Sequence, residues 1–166
     1  MSLEQKFQAA LKEWKIHVHD NSIHSSFEPY LDCDAYRRIV GMGRMALPLI
    51  YQQLKIEVEM QELYGQRLNK IKERVFGTSD VGLFDENYVI IKQDLEYRRY
   101  ESDYGKEMKG NPGIHWSSAL KEIAGFSLPV GWQGSGAIVQ KIGGFTGIDV
   151  HGLQRTMVRW LEEYFR

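Results

Sequence analysis

Three closely spaced histidines, His17, His19 and His24, carry side chains that could bind a metal ion. Acidic and thiol side chains close by add further ligand types that zinc accepts, namely those of Asp20, Asp32, Cys33 and Asp34. The spacing of these residues matches no recognised zinc pattern, and exposed histidines are ordinary in a segment rich in Asn and Ser. We therefore expect no metal site here and no cofactor in the protein.

Another histidine, His115, stands next to Trp116 at the expected start of a helix. The positive end of the helix dipole would keep its imidazole neutral there, so the ring could act as a general base. Catalysis also needs a nucleophile or an orienting carboxylate, and the sequence identifies neither beside His115. An enzyme with a site near His115 and the glycine-rich residues 131–147 is therefore an alternative function, and a structural role for His115 is favoured.

Two short runs interleave aromatic and cationic side chains, Tyr36-Arg37-Arg38 and Tyr97-Arg98-Arg99-Tyr100. Such a mixture binds single-stranded nucleic acid through stacking and phosphate contacts. The chain has 21 basic and 22 acidic residues, a formal net charge of -1, so no long-range field attracts phosphates. Nucleic-acid binding is a second alternative, and a solvated, salt-bridged helix face is the favoured interpretation of these runs.

One segment matches the glycine fingerprint of dinucleotide-binding proteins, Gly41-Met42-Gly43-Arg44-Met45-Ala46. That fingerprint requires a preceding strand. Residues 35–40 instead carry apolar side chains at helical spacing, which indicates a helix. We interpret the segment as a turn between two helices.

The elements that must position these residues are predominantly helical, because apolar residues recur three and four positions apart along most of the chain. Asp32 or Asp34 is the expected cap of the second helix. The helices are predicted at residues 3–14, 34–40, 47–75 (one helix, or two broken near Gly65), 85–100, 114–124 and 152–164. This pattern predicts an all-α protein, an irregular helical bundle forming a single domain over residues 1–166.

Two segments are too rich in turn-forming residues to be helices. Residues 105–113 are polar and end in Asn111-Pro112-Gly113, which predicts a loop. Seven glycines fall between Gly131 and Gly152, so we expect a glycine-rich loop or a short hairpin near residues 131–147.

Composition places the protein among ordinary globular domains, with 43% hydrophobic and 26% charged residues. The single cysteine, Cys33, cannot form an intramolecular disulfide, which favours a reducing compartment. No apolar stretch approaches the roughly 20 residues that span a bilayer. We therefore predict a cytoplasmic protein that does not enter a membrane.

Three stretches together resemble a family of small, uncharacterised bacterial proteins built around a short helical core. They are residues 36–54 (Tyr-Arg-Arg-Ile-Val-Gly-Met-Gly, then Ala-Leu-Pro-Leu-Ile), residues 115–130 (starting His-Trp-Ser-Ser-Ala-Leu) and residues 157–161 (Met-Val-Arg-Trp-Leu). In that family the second block closely follows the first, so the resemblance implies that residues 56–112 are an insertion. It implies a helical fold and supplies no chemistry.

Residues 39–54 also resemble the paired helices of HEAT-type repeats, which mostly serve as protein-binding scaffolds. The apolar stripe over residues 60–75 could equally contact a second chain, because a long inserted helix must bury its stripe against something. The preferred function is therefore an interaction module that binds a protein partner or a second copy of itself. The candidate binding residues are Tyr64, Tyr97, Arg98, Arg99, His115, Trp116 and Trp132.

Overall fold

The computed structural model describes residues 1–21, 26–127, 139–142, 145–148 and 150–166, and it confirms the prediction of a mainly helical protein. None of the helices in these ranges is both long and apolar enough to cross a membrane. The helices are α1 (Leu3–Asp20), α2 (Glu28–Leu31), α3 (Asp34–Gly41), α4 (Leu47–Phe76), α5 (Asp85–Ile91), α6 (Leu95–Met108), α7 (Trp116–Ala124) and α8 (Val150–Tyr164).

Short elements connect some of these helices. Two 3-10 helices, Gly43–Ala46 and Gly113–His115, lead into α4 and α7. Strands β1 (Val139–Ile142) and β2 (Phe145–Ile148) pair antiparallel, with Val139 opposite Ile148. The rest of the predicted glycine-rich loop or hairpin at residues 131–147 lies outside the described residues.

Helix α1 is longer than the pattern predicted, because Val18 continues the buried stripe one turn beyond Trp14. His17 and His19 are therefore helical, whereas the predicted helix ended at residue 14. Ser2 begins the helix with a capping box, in which its hydroxyl accepts from the amide of Gln5 and the Gln5 side chain accepts from the amide of Ser2.

The cap of α3 was assigned to the wrong residue. Cys33, and not Asp32 or Asp34, occupies the capping position with an extended backbone, and its Sγ lies 3.5 Å from the amide of Tyr36. Asp34 is the first residue of the helix, where its negative charge still stabilises the positive end of the helix dipole.

The principal core joins α1, α3, α7, α8 and the first part of α4. Its centre is aromatic, with the rings of Trp14 and Trp116 packed edge to face at 5.0 Å and Phe7 stacked on Trp116 at 6.2 Å. Trp14 donates from its indole nitrogen to the carbonyl of Tyr30 at 2.8 Å, which satisfies its polar atom inside the core. Other completely buried members are Ile39, Leu47, Ile50, Leu54, Leu120, Met157 and Leu161.

Helix α4 is a single helix of 30 residues, roughly 45 Å long, so the sequence does not break at Gly65. It begins at Leu47 as predicted, with Pro48 in the first turn, where its missing amide proton is not needed. It ends at Gly77, whose φ of 78° lies in the left-handed region. Past Val58 the helix adds no side chain to the principal core, and it still contacts α8 through the hydrogen bond from Gln61 to Gln154 at 2.5 Å and the approach of Glu62 to His151 at 3.7 Å.

The second half of α4, together with α5 and α6, forms a separate packed unit at residues 59–108 that we call the arm. Its own small core consists of Ile71, Ile91, Tyr97 and Tyr100. Helix α6 returns antiparallel along α4, since Arg74 pairs with Asp94 (2.7 and 2.8 Å) near the far end. Tyr64 stacks on Tyr100 and Tyr104 nearer the core. The arm takes up most of the segment predicted as an insertion, residues 56–112.

Two boundaries within the arm differ from the prediction. The single helix expected at residues 85–100 is broken, because the Asp94 side chain accepts from the amide of Tyr97 at 2.9 Å and starts a new helix. The loop expected at residues 105–113 is shorter, because α6 continues to Met108. Tyr104 extends the stripe that packs on α4, and this contact keeps its surroundings helical.

Candidate functional site

The arm joins the principal core at a buried carboxylate, that of Glu57, which is completely inaccessible to solvent. Four donors surround it: Gln53 Nε2 at 3.2 Å, the Gly113 amide at 3.1 Å, Trp116 Nε1 at 2.9 Å and Gln154 Nε2 at 3.1 Å. Burial raises the pKa of Glu57 above its ordinary value, while these hydrogen bonds act in the opposite direction. All four interactions tie the carboxylate to its surroundings, so its role is to hold elements together.

These contacts link both ends of the arm, because Glu57 precedes it on α4 and Gly113 follows it. A second close approach lies beside them at Gly110, where φ is 72°. A Cβ atom added there would come within 2.1 Å of the Lys15 carbonyl oxygen of α1. The returning chain is thus held against the core at Gly110 and Gly113, which fixes the base of the arm.

The opposite end of the arm presents a group of apolar side chains to solvent. Their exposed fractions are 39% for Phe84, 39% for Tyr88, 60% for Val89, 49% for Ile90 and 73% for Leu95, and we call these five residues the arm tip. Ile91 faces the other way and is completely buried in the arm's own core. Tyr88, Val89 and Ile90 are consecutive, and a group of exposed large apolar side chains on one short segment is characteristic of a surface that contacts another molecule.

The aromatic residues predicted to bind a partner are mostly internal. Trp116 is completely buried and Tyr97 is 4% exposed, so neither has enough accessible surface to form a binding site. Tyr64 is half-buried, with its ring centroid 4.0 Å from that of Tyr104. Trp132 lies outside the described residues. The structure thus places Tyr64, Tyr97 and Trp116 in packing roles and does not bring them together at one surface.

His115, the centre of the enzyme alternative, is also a core residue. It is 8% exposed, and its ring stacks on Tyr30 at 4.3 Å and contacts the edge of Phe27 at 4.8 Å. Burial lowers the pKa of His115 to about 4, so the ring is neutral near pH 7. Its Nδ1 atom has no hydrogen-bond partner among the described residues.

An open cleft of about 1210 Å³ lies beside α1, α2, α3 and α7. Tyr36 and Glu122 line it, and the Tyr36 hydroxyl donates to the Glu122 carboxylate. Burial, with the adjacent carboxylate, raises the pKa of Tyr36 far above its ordinary value, so this phenol stays protonated and acts as a donor. His17 also lines the cleft, with Nε2 2.6 Å from the Pro29 carbonyl oxygen.

The structure does not bring further metal-ligating residues into a group with the histidines of α1 within the residues it describes. Within the described ranges, no three or more His, Cys, Asp or Glu side chains come together in a way that could hold an ion. His24 lies outside those ranges, and His19 is exposed on α1. The dinucleotide-like segment follows a helix, α3, and continues into the 3-10 helix Gly43–Ala46, as expected of a turn between helices.

The arginines of the nucleic-acid alternative are distributed over two separate elements. On α3, Arg37 pairs with Asp32 at 2.5 Å and with Asp34 at 2.9 Å, and Arg38 pairs with Glu13. These carboxylates offset much of the positive charge that a phosphate would meet there.

The other two arginines lie on α6, in the arm. Arg98 donates from Nε to the carbonyl of Lys92 at 2.5 Å, and Arg99 is exposed. Arg98 thus fixes the turn between α5 and α6, next to the arm tip. This contact gives Arg98 a structural role in the arm.

Two features of this structure, the buried Glu57 and the arm tip, were not predicted from the sequence. Glu57 looked like an ordinary surface residue of a charged helix, and nothing in its neighbourhood along the chain marks it as buried. The arm tip did leave a signal: Val89, Ile90 and Ile91 are consecutive, and three consecutive side chains span too wide an arc of a helix to be buried on one face. At least one of them had to face outward.

No protein-family model, curated protein or solved structure matches the chain. The resemblance to a family of small bacterial proteins therefore stays a prediction, and the functional reading depends on the geometry described above.

Proposed function

We propose that the protein is an interaction module that binds a protein partner through the arm tip. The observation that carries this proposal is the exposure of five large apolar side chains on one short segment, residues 84–95. Ile91 in the same segment is fully buried, so the arm is already packed without the contribution of the exposed side chains. Burying them against a partner would release free energy that folding has not used, at roughly 25 cal/mol for each Å² of apolar surface.

The base of the arm supports the same reading. A binding element loses less entropy on association when it is already ordered. Glu57 accepts hydrogen bonds from Gly113 and Trp116, and the backbone at Gly110 lies directly against α1. The arm is therefore attached to the core both where the chain enters it and where the chain leaves it. The tip is thereby presented on a support that is ordered before binding.

We further propose that the module works in the cytoplasm, because its one cysteine, Cys33, is unpaired and a reducing compartment suits a free thiol. The nucleic-acid alternative has weaker support, since Arg37, Arg38 and Arg98 are already engaged by acidic or carbonyl groups. The enzyme alternative has weaker support as well, since His115 is enclosed between aromatic rings.

Affinity capture from native cytosol tests the proposal. The bait is the tagged wild-type chain, and the test variant carries Val89→Asp and Ile90→Asp, which place charge on the tip. Ile16→Asp is the matched control, because Ile16 is 56% exposed on α1 and lies outside the arm. Captured proteins are compared at low and high salt.

We expect one protein in near-stoichiometric amount, either another protein or the untagged chain itself, with the wild type and with Ile16→Asp. Apolar contact should keep it bound at high salt, and the tip variant should lose it. Equal capture by all three baits, or no specific protein with any of them, would overturn the proposal.

A further inference from the structure

Charged residues beside the arm tip are arranged symmetrically about Val89. Glu86 lies three residues before Val89, Lys92 lies three residues after it, and both side chains are exposed. Tyr88 and Ile90 flank Val89 and are exposed as well, by 39% and 49%. From Glu86 on α5 to Lys92, the residue that directly follows α5, the order is therefore acid, apolar centre, base. When two such helices run in opposite directions, each acid meets a base.

We propose that the arm tip binds a second copy of this chain through an antiparallel, two-fold symmetric pair of α5 helices, a step that rests on the proposed function. A two-fold interface uses the same patch on both subunits, so the patch must be complementary to itself. With the axis over Val89, Glu86 of each copy lies at the same level along the helices as Lys92 of the other, and Tyr88 and Ile90 flank the contact on either side.

The distances allow this pairing. Packed helices lie about 8–10 Å apart, a gap that Glu and Lys side chains can span together. Glu86 and Lys92 are separated by roughly 9 Å along the helix axis, so the pairs flank the apolar centre on both sides. Asp85, four residues before Val89, falls on the same helical side and adds a second acidic group near the Lys92 of the other copy.

Both charges are available for such a contact. Within the described part of the chain, Glu86 takes part in no ion pair. The ammonium group of Lys92 lies 5.0 Å from the centroid of the Tyr88 ring, which holds it beside the apolar centre. Arg74, elsewhere in the arm, is already paired with Asp94 and Glu96.

The size of the patch sets the strength of the contact. Stable interfaces usually bury about 800 Å² on each partner, and a helix of 7 residues such as α5 presents too little surface to reach that area. We therefore expect a weak, reversible dimer that forms as the protein concentration rises.

Sedimentation equilibrium of the full chain over a concentration series tests this inference. Glu86→Lys alone and Lys92→Glu alone each place like charges opposite one another in a homodimer. The association constant of each variant is expected to be lower than that of the wild type by a factor of up to about ten. An equimolar mixture of the two variants restores both opposite-charge pairs, so it should associate about as strongly as the wild type.

The control is Glu59→Lys, which makes the same change of charge at an exposed position of α4, and it should leave association unchanged. Helix content of every variant is checked by circular dichroism. The mixture contains the same two variant chains that are measured alone. Any small effect of a substitution on α5 itself is therefore present in both measurements, and only the pairing of charges differs.

A wild-type chain that stays monomeric at every concentration would overturn the inference, and so would a mixture that associates no better than its components. The two proposals fail separately. If the wild type is monomeric but the arm tip still captures a different protein from cytosol, self-pairing is wrong and the interaction module stands. If tip-dependent capture is absent too, both are wrong.

Discussion

The carboxylate of Glu57 accepts a 2.9 Å hydrogen bond from the indole nitrogen of Trp116, and both residues are completely buried. Glu57 is the last buried charge of α4 before the arm, and Trp116 begins the helix that follows the arm. A buried carboxylate is tolerated only when its oxygens are well satisfied, as they are here. The pair therefore joins the segment that enters the arm and the segment that leaves it to one core.

Replacing Glu57 should be among the most damaging single changes. Glu57→Ala leaves the donors of Trp116, Gly113 and Gln154 without an acceptor, which should lower the free energy of unfolding by about 3–5 kcal/mol. Urea denaturation followed by circular dichroism measures this. Glu59→Ala is the control, because Glu59 is exposed two residues further along α4 and should change stability by less than about 0.5 kcal/mol. Equal effects of the two variants would contradict the assigned role of Glu57.

His115 should make the protein less stable at mildly acidic pH. Its ordinary pKa of 6.5 falls to about 4 in the folded protein, so between these values the unfolded chain binds the proton more readily. Stability contributed by the neutral ring is complete above pH 6.5 and is lost as the pH falls toward 4, by roughly 3 kcal/mol in total.

The variant His115→Phe tests this, because it keeps the stacking on Tyr30 and cannot be protonated. Compared with the wild type, it should lose roughly 3 kcal/mol less stability between pH 7 and pH 4. The raised pKa of Glu57 acts in the opposite sense, favouring the folded state at low pH, and it cancels in this comparison because both proteins contain Glu57. Parallel pH profiles for the two proteins would show that His115 is not buried as described.

Replacing each of two glycines near the base of the arm by alanine should change the stability of the protein in opposite directions. Gly110→Ala places a Cβ atom within 2.1 Å of the Lys15 carbonyl oxygen and requires a left-handed backbone, so it should be destabilising by more than about 1 kcal/mol. Gly105→Ala lies within α6 with open space around the new atom, so it should stabilise the protein by about 0.5–1 kcal/mol. Thermal unfolding of both variants decides the matter. Stabilisation by Gly110→Ala would mean that the arm does not approach α1 there.

The separate core of the arm predicts that it can open locally. Ile91→Ala removes a fully buried side chain from that core and should cost about 2–5 kcal/mol. Hydrogen exchange should speed up in α5 and α6 and remain slow in α1 and α8, since the principal core has its own set of contacts. An equal rise in exchange across all four helices would show that the molecule is one cooperative unit.

Much of the helical framework was predictable because it depends on local rules. Pro48 marks the first turn of α4, and Gly125, with φ of 74°, ends α7 as expected. The break at Asp94 was missed because its capping hydrogen bond competes with an apolar stripe that runs on without interruption. The burial of Glu57 was missed because it depends on donors 56, 59 and 97 residues away along the chain.

The function of the arm tip depends on whether it touches another molecule, and site-specific photocrosslinking measures that contact directly. A photoreactive amino acid is placed at position 89 on the arm tip, or at position 16 on α1 as the control, and the protein is irradiated in its native cytosol. We predict one discrete crosslinked product, with this chain or with a single other protein, from position 89 and none from position 16. No product from position 89, or the same products from both positions, would contradict the account.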